Sequence, residues 1–219
     1  MSSKTSSSSS SGIGFFGLLA ILFIAHRRCP ILLLADQAEQ MTACFILNLD
    51  RSPARLAAIW ANLSTLGIEA TRVRAIDGRD LTLPMPEVDA AVYRRCHGRE
   101  LRLTEVGCYL SHLEGLRAFL ATRASYGVIF EDDAEVSAGF VAVRDALVSN
   151  DLYGFDVVRL DYRRPGIGFD AAQIGTTGHS IRVNLTRCTG AAAYMLSRHA
   201  AQRYLGRLLP MCVPYDHAF

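Results

Sequence analysis

Three adjacent carboxylates, Glu131, Asp132 and Asp133, follow directly on an apolar run of the sequence, GVIF at residues 127–130. Carboxylates placed side by side repel one another, so either they are solvated turn residues or a cation neutralises them. If the chain stays extended here, Glu131 and Asp133 point the same way, since alternate residues of a strand share a face. These two could then bind one hard divalent cation and leave positions open for phosphate oxygens. Such an ion is a Lewis acid toward a diphosphate leaving group.

A second polar cluster, Asp50, Arg51 and Arg55, surrounds the expected start of a helix. Ser52 suits the N-cap position of that helix and Pro53 its first turn. Two arginines four residues apart at a helix N-terminus suit a phosphate, through the helix dipole and the guanidinium geometry. A surface ion pair with Asp50 explains the same residues equally well. The residues alone leave both interpretations open.

His112 is a third candidate, within the segment GCYLSH at residues 107–112. The segment has the apolar spacing of a buried helix, where a lone histidine is more often structural than catalytic. The six cysteines form no Cys-x-x-Cys pair and predict neither a zinc site nor a disulfide framework. Cys44 and Cys108 fall in apolar runs and are expected to be small buried thiols.

Strand-like and helix-like patterns alternate from residue 43 onward. Apolar runs predict strands at residues 43–49, 72–76, 127–130 and 155–160, and residues 181–186 alternate like an exposed strand. Helical spacing predicts helices beginning near residues 53, 104, 137 and 197, the last running to residue 209. Residues 82–102 contain two prolines and are expected to be irregular, and a Gly-rich loop is expected after Asp161. This alternation predicts an α/β fold, a mostly parallel sheet with helices on both faces.

Polar residues cluster where the predicted strands end. These positions are Asn48 to Arg51, Asp77, the acidic trio and Asp161. Ligands of open α/β sheets bind at the carboxyl ends of the strands. We therefore expect these side chains to meet at one edge of the sheet.

The first forty residues are of a different kind. Residues 1–12 are Ser-rich and expected to be disordered, because they have almost nothing to bury. Residues 12–25 are an uncharged apolar run followed by His26, Arg27 and Arg28, short of the roughly 20 residues of a comfortable membrane span. One alternative is a signal anchor that associates with the inner membrane and keeps the remaining chain cytoplasmic. The other is a translation start placed too early, since globular patterning begins after Met41.

The overall charge excludes one class of function. The formal net charge is +2, and 20% of the residues are charged. A nucleic-acid-binding protein is expected to carry a concentrated basic face, which this sequence lacks. No nucleic-acid partner is predicted.

Six segments of the sequence resemble, in order, the motifs of glycosyltransferase family 25. They are FILNLDRSPARL, the AIDG turn, LTEVGCYLSHLEGLRAF, VIFEDDAEV, TGAAAYMLSRHAA and the closing VPYD. The resemblance covers residues 43–219, and the family includes bacterial lipooligosaccharide galactosyltransferases and collagen galactosyltransferases. It implies a GT-A-like nucleotide-diphospho-sugar transferase fold, a UDP-sugar donor (usually UDP-galactose), a saccharide or glycolipid acceptor, Mn²⁺ or Mg²⁺, and inversion at the sugar carbon. The family pattern continues past Phe219, so residues 41–219 are expected to be a domain truncated at its C-terminus.

The resemblance also implies roles for individual residues. Glu131, Asp132 and Asp133 match the metal-binding acids of the family, and Asp216 matches its late Pro-x-Asp element. On the nucleotide side, the matching residues are Asn48, Asp50, Arg51, Asp77, Ser111 and His112, with Arg55 next to them.

The implied mechanism is a single in-line displacement, in which a carboxylate deprotonates the acceptor hydroxyl. Asp216 is the candidate base because the metal-bound acids have their charge committed, and Asp161 is a weaker rival. Two other functions stay open: an inactive sugar-nucleotide-binding or scaffolding protein, and a metal-dependent phosphohydrolase.

Overall fold

A computed structural model describes residues 41–161, 163–164 and 166–218 of the 219-residue chain. The Ser-rich and apolar segments at residues 1–40 lie outside the described residues. The strands are β1 (Thr42–Asn48), β2 (Ala70–Arg74), β3 (Tyr126–Glu131), β4 (Val157–Arg159), β5 (Gly168–Gln173), β6 (Ser180–Asn184) and β7 (Ala193–Ser197). The α-helices are α1 (Pro53–Thr65), α2 (Ala90–His97), α3 (Leu103–Ala121), α4 (Phe140–Ser149) and α5 (Arg198–Leu205). Three 3₁₀ turns complete the described elements, at Gly78–Asp80, Asp151–Gly154 and Tyr215–His217.

The central sheet has five strands in the order β2-β1-β3-β7-β4. β1 lies between β2 and β3 and is parallel to both. β7 is antiparallel to β3 and to β4, so four strands run one way and β7 runs the other. The predicted α/β architecture with a mostly parallel sheet is confirmed, and it is consistent with the transferase fold that the resemblance implies.

Helices cover both faces of this sheet because successive residues of its strands point to opposite sides. Cys44 and Ile46 of β1 pack in one buried cluster with residues of α1 and α4. Phe45 and Leu47 pack in the other cluster with residues of α3 and α5. The central strands are therefore buried on both sides, and their ends are the part that polar groups can reach.

Two regions differ from the sequence-based expectation. Residues 82–102 are not wholly irregular, because α2 forms after the prolines, with the Asp89 side chain accepting a hydrogen bond from the Val92 backbone N–H. Its Tyr93 is fully buried and donates to Glu105 of α3, a tertiary contact that local propensity does not reveal. The expected Gly-rich loop after Asp161 is instead a hairpin, in which β5 pairs with β6 in a separate two-stranded sheet.

The last helix, α5, is shorter than expected and ends at Leu205 rather than at residue 209. The predicted start at Ser197 is confirmed, since its hydroxyl accepts a hydrogen bond from the Ala200 backbone N–H.

A close backbone contact joins the start of α3 to the turn at Gly78–Asp80. A Cβ added at Gly107 would lie 2.6 Å from the carbonyl oxygen of Ile76, so no larger residue fits here without displacement. One turn later, the Ser111 hydroxyl accepts a hydrogen bond from the Ile76 backbone N–H at 2.8 Å and donates to the Gly107 carbonyl at 2.6 Å. The turn that carries Asp77 is thus held against α3.

Among the described helices, none combines the length and the apolar character that crossing a membrane requires.

Candidate functional site

Asn48, the last residue of β1, joins the ends of two neighbouring strands. Its side chain is buried, and its Nδ2 donates to Asp132 Oδ2 at 2.7 Å and to the Ser52 carbonyl at 3.0 Å. Its Oδ1 accepts from Arg72 Nε at 3.1 Å. Because Asp132 follows β3 directly, this amide ties the carboxyl ends of β1 and β3 together.

Arg55 of α1 contacts two of the three adjacent carboxylates. Its guanidinium lies 2.9 Å from Asp132 Oδ1 and 2.6 Å from Asp133 Oδ2. The Asp132 side chain is only 8% exposed, whereas those of Asp133 and Arg55 are 37% and 52% exposed. Asp132 is therefore committed to the protein, and the Arg55–Asp133 pair is open to solvent and to an incoming ligand.

Glu131 has a different partner from its two acidic neighbours. The Ala134 backbone N–H donates to the Glu131 carbonyl, so the chain bends after β3 instead of staying extended. The expectation that Glu131 and Asp133 share a strand face is therefore wrong. Glu131 Oε1 lies 3.2 Å from His112 Nε2. Burial alone would raise the pKa of Glu131, but the hydrogen bond and charge of His112 outweigh it and lower that pKa below its ordinary value.

The three carboxylates thus avoid mutual repulsion by taking separate partners. Asp132 uses Asn48 and Arg55, Asp133 uses Arg55, and Glu131 uses His112. A divalent cation bound with substrate phosphates needs only one or two protein carboxylates. The accessible oxygens of Asp133 and Glu131 fit that requirement, and the predicted metal site stays a prediction.

The second cluster does not form the surface ion pair with Asp50 that the sequence left open, and its role in binding phosphate stays a prediction. Asp50 contacts Arg72 and Arg74 of β2, and these hydrogen bonds hold its pKa below the usual range. Arg51 contacts Asp77, so the expected ion pairs of Asp50 with Arg51 or Arg55 are not formed.

Asp77 anchors the turn that follows β2. It accepts hydrogen bonds from the Arg79 side chain and backbone N–H, and these lower its pKa to about 2. Arg51 contacts the same carboxylate and keeps a half-exposed guanidinium beside the end of β1. Arg51 and Arg55 therefore both present cationic groups at the sheet edge while remaining anchored by aspartates.

His112 is fully buried and does not reach solvent. Its Nδ1 lies 3.2 Å from the Tyr194 hydroxyl, and its ring stacks on Tyr215 with the centroids 4.0 Å apart. The two tyrosine hydroxyls contact each other at 2.9 Å. His112 is enclosed in this way and contacts Glu131 through its Nε2, and its predicted role in binding the nucleotide sugar stays a prediction.

The two candidate bases occupy different surroundings. The Asp216 side chain is 27% exposed and accepts a hydrogen bond from the Gly190 backbone N–H at 3.1 Å. Its carbonyl accepts from Arg159 at 2.6 Å. Asp161 is exposed and lines, with Asp133, a cleft of about 820 Å³ that extends between α4 and the β5–β6 hairpin. Asp216 is not among the residues that line this cleft.

Cys108 differs from the expectation, because it is exposed rather than buried, whereas Cys44 is buried as predicted. Although Cys108 is exposed, desolvation by the surrounding protein and, next, nearby carboxylates raise the pKa of its thiol to about 12. Cys108 lies one helical turn before His112, a four-residue spacing that the sequence contains and that could have indicated a shared site.

For other site residues, no local sequence pattern indicates the contacts that they make. Arg72 lies in the middle of β2 and reaches Asn48 and Asp50 on the neighbouring strand end. Tyr194 and Tyr215 meet His112 only because β7 and the last turn pack against α3. These contacts depend on the order of elements in the fold.

Comparisons with known proteins place the chain among glycosyltransferases. A family model described as glycosyltransferase family 25 (LPS biosynthesis protein) matches residues 41–219. A protein of Rattus norvegicus named "Probable inactive glycosyltransferase 25 family member 3" is 35% identical over 101 residues, which are 44% of this chain and 18% of that protein. The "Inactive glycosyltransferase 25 family member 3" of Mus musculus is 34% identical over 101 residues, which are 44% of this chain and 17% of that protein. The chain thus matches less than a fifth of the length of these relatives.

Proposed function

Because this chain belongs to glycosyltransferase family 25, whose model matches residues 41–219, we propose that it transfers a sugar from a UDP-sugar to an acceptor hydroxyl. The donor is UDP-galactose, the acceptor is a saccharide or a glycolipid, and the configuration at the sugar carbon is inverted.

The observation that carries this proposal is the polar junction at the carboxyl ends of β1 and β3. Buried Asn48 and Asp132 hold the two strand ends together, while Arg55 and Asp133 stay accessible beside them. The Asn48–Asp132 part of this junction is buried and hydrogen-bonded, whereas the Arg55–Asp133 part is open to solvent. That combination suits a diphosphate ligand at the edge of an α/β sheet.

The arginines at this edge would bind the donor diphosphate. Arg51 and Arg55 are each about half exposed; Arg51 pairs with Asp77, and Arg55 pairs with buried Asp132 and with exposed Asp133. A guanidinium can exchange a carboxylate for a phosphate, since both accept bidentate hydrogen bonds. Their charge would stabilise UDP as it departs.

The residues that would hold Mn²⁺ or Mg²⁺ are Asp133 and Glu131, whose carboxylate oxygens are the ligands that hard cations prefer. When bound, the ion would supply Lewis acidity toward the diphosphate. Asp132 contacts Asn48 and Arg55 and so holds the chain beside these two residues in place.

Asp216 is the proposed general base, with Asp161 as the rival. The Asp216 carboxylate keeps one oxygen on the Gly190 backbone and is partly exposed, so it can accept a proton. Asp161 lies in the cleft that contains Asp133 and is more exposed.

A second function has one observation in its favour. Both relatives described above carry the word "inactive" in their names. On that alternative the same edge would bind a sugar nucleotide without turning it over. The anchored arginines and carboxylates would then serve binding alone.

One experiment separates these functions. The purified protein is incubated with a panel of UDP-sugars, with Mn²⁺ and with or without simple saccharide acceptors, while UDP release and UDP binding are measured. Acceptor-dependent UDP release supports transfer. Binding of UDP without release indicates the non-catalytic function, and release that acceptors do not increase indicates a hydrolase.

A further inference from the structure

We propose that Cys108, His112 and Glu131 form a binding site for a thiophilic divalent cation such as Zn²⁺, which shares Glu131 with the proposed manganese site and differs from it in its other ligands and its chemistry. One sulfur, one nitrogen and one oxygen atom of these residues all lie within 4.8 Å of one another. Within the described ranges, no other group of three histidine, cysteine, aspartate or glutamate side chains converges in this way.

The distance between two of the ligand atoms already matches a tetrahedral site. His112 Nε2 and Glu131 Oε1 lie 3.2 Å apart. Zinc–nitrogen and zinc–oxygen bonds of about 2.0–2.2 Å at a tetrahedral angle separate the two ligand atoms by roughly 3.3 Å. An ion can therefore enter between them without backbone movement, and Cys108 completes the set by rotation of its side chain.

The ligands are attached to rigid parts of the fold. Cys108 and His112 lie four residues apart on α3, so both side chains project from the same face one turn apart. Glu131 ends β3, which pairs with β1 on one side and β7 on the other. Ligands on a buried helix and a central strand are held in place before the ion binds.

The second nitrogen of His112 has the partner that a metal ligand requires. Metal-binding histidines usually donate their other ring N–H to an oxygen, which fixes the tautomer. Here Nδ1 faces the Tyr194 hydroxyl at 3.2 Å, and Tyr215 lies behind it. With the proton on Nδ1, the Nε2 lone pair and the Glu131 carboxylate face each other as two acceptors. A cation between them resolves that conflict.

Access and charge also suit an ion. The His112 side chain is fully buried while Cys108 is exposed, so an ion would enter from the Cys108 side and keep one coordination position toward solvent. The Cys108 thiol lies in a negative field from four carboxylates, Glu131, Asp216, Asp133 and Glu105. The field that disfavours a thiolate attracts a cation, and binding would displace the thiol proton.

The donor atoms decide which ion is expected. Manganese and magnesium prefer oxygen ligands, whereas thiolate together with imidazole selects zinc and similar ions. The alternative is a neutral His112 that donates Nε2–H to Glu131, in which case Cys108 binds no ion. The two interpretations differ in whether the sulfur binds the ion.

Cobalt(II) reports on this directly, because thiolate ligation produces an intense charge-transfer absorption and tetrahedral geometry produces characteristic visible bands. Chelator-treated full-length protein is titrated with Co²⁺, which is then displaced by Zn²⁺. The wild-type protein is expected to show the thiolate band, and Cys108→Ser to lose it and to bind Zn²⁺ at least about tenfold more weakly. Cys96→Ser is the matched control, since Cys96 is another exposed cysteine, on α2.

Thermal unfolding gives a second readout, because an ion that binds only the folded state raises Tm. Zn²⁺ is expected to raise the Tm of the wild-type protein and of Cys96→Ser, but not that of Cys108→Ser or Glu131→Gln. Absence of a thiolate band in the wild-type protein, or a band that survives Cys108→Ser, would overturn the proposal. Neither measurement involves sugar transfer, so their failure is distinguishable from failure of the proposed function.

Discussion

At the scale of single residues, Asn48 links several segments of the candidate site. Its buried amide makes hydrogen bonds to Asp132, Ser52 and Arg72, which belong to three different segments. A buried carboxylate that loses a donor keeps its charge without compensation, which costs more than a neutral hydrogen bond is worth. The junction of β1 and β3 therefore depends on a side chain that need not touch a ligand.

We expect Asn48→Ala to lower the free energy of unfolding by about 2–3 kcal/mol, because Asp132 loses a charge-assisted hydrogen bond in a buried place. The midpoint of urea unfolding measures this. Asn150→Ala is the control, since the exposed Asn150 makes one side-chain hydrogen bond, to the Ala146 carbonyl. Equal losses in the two variants would contradict a special role for Asn48.

Asp133→Asn is expected to remove Mn²⁺-dependent binding of UDP-sugar and to leave Tm unchanged or slightly raised. The substitution removes a proposed metal ligand. It breaks only a solvent-exposed ion pair with Arg55, which contributes little to stability, and it lowers the negative charge beside Asp132. Calorimetric titration with UDP-galactose, with and without Mn²⁺, measures the binding. Asp170→Asn is a matched control, because Asp170 is also an exposed carboxylate beside one arginine, Arg182. Normal donor binding by Asp133→Asn would exclude Asp133 from the metal site.

Asp216→Asn tests the proposed base. Asparagine retains an oxygen that can accept the hydrogen bond of the Gly190 N–H, so the local structure should persist. We expect the transfer rate to fall by about 10²–10⁴-fold while affinity for the UDP-sugar changes little, since a positioned base contributes that much. Asp161→Asn is compared in the same assay. An unchanged rate in Asp216→Asn together with a large loss in Asp161→Asn would reassign the base to Asp161.

At the scale of elements, the contact between α3 and the turn at Gly78–Asp80 positions several site residues together. Helix α3 carries Ser111 and His112, and the turn begins beside Asp77. Their backbones approach too closely for any side chain at Gly107 or Gly78. Gly78 and Gly107, which are far apart in the sequence, thus allow the turn beside Asp77 to pack directly against the start of α3.

We therefore expect Gly107→Ala to destabilise the protein by at least about 1–3 kcal/mol, the usual cost of an overpacked contact. The new methyl group would meet the backbone of Ile76 and Gly78, which cannot rotate away. Gly206→Ala is the control, because a Cβ at Gly206 would lie 3.7 Å from its nearest neighbour, the Arg203 carbonyl oxygen. Chemical denaturation of both variants checks the difference, and a neutral Gly107→Ala would show that the turn shifts freely.

At the scale of the whole molecule, the sheet and its two hydrophobic clusters are built from residues after Met41. β1 begins at Thr42 and lies between two parallel neighbours, with helices on both of its faces. The strand ends that form the candidate site belong to the same assembly. The described fold is thus sufficient to bury both faces of its central strand.

A chain shortened to begin at Met41 is expected to be soluble and to retain the donor binding of the full chain. The reason is that globular patterning begins at Ala43 and that helices from the described residues already cover both faces of β1. Size-exclusion chromatography, circular dichroism and UDP-sugar titration in detergent-free buffer test this. Loss of the fold on shortening would mean that residues 1–40 are integral to it.

The local helices and strands, and the polar character of the strand ends, can be predicted from the sequence alone. Apolar runs indicated β1 and β3, helical spacing indicated α1 and α3, and the acidic trio was recognised before any contact was known. These features depend on neighbouring residues, whose periodicity and capping are readable along the chain. The ordered motifs also indicated the family, which the match over residues 41–219 confirms.

Which polar and charged side chains contact one another depends on the tertiary structure. Asn48 and Asp132 are 84 positions apart in the sequence, and Arg72 and Asn48 are 24 positions apart. These residues contact one another because the order β2-β1-β3 places their strands side by side. Because the chain bends after β3, Glu131 contacts His112 and Asp133 contacts Arg55. The alternation of side chains along an extended strand therefore did not predict the partners of these two residues. Partner choice depends on strand order and chain direction, and local patterns carry no information about either.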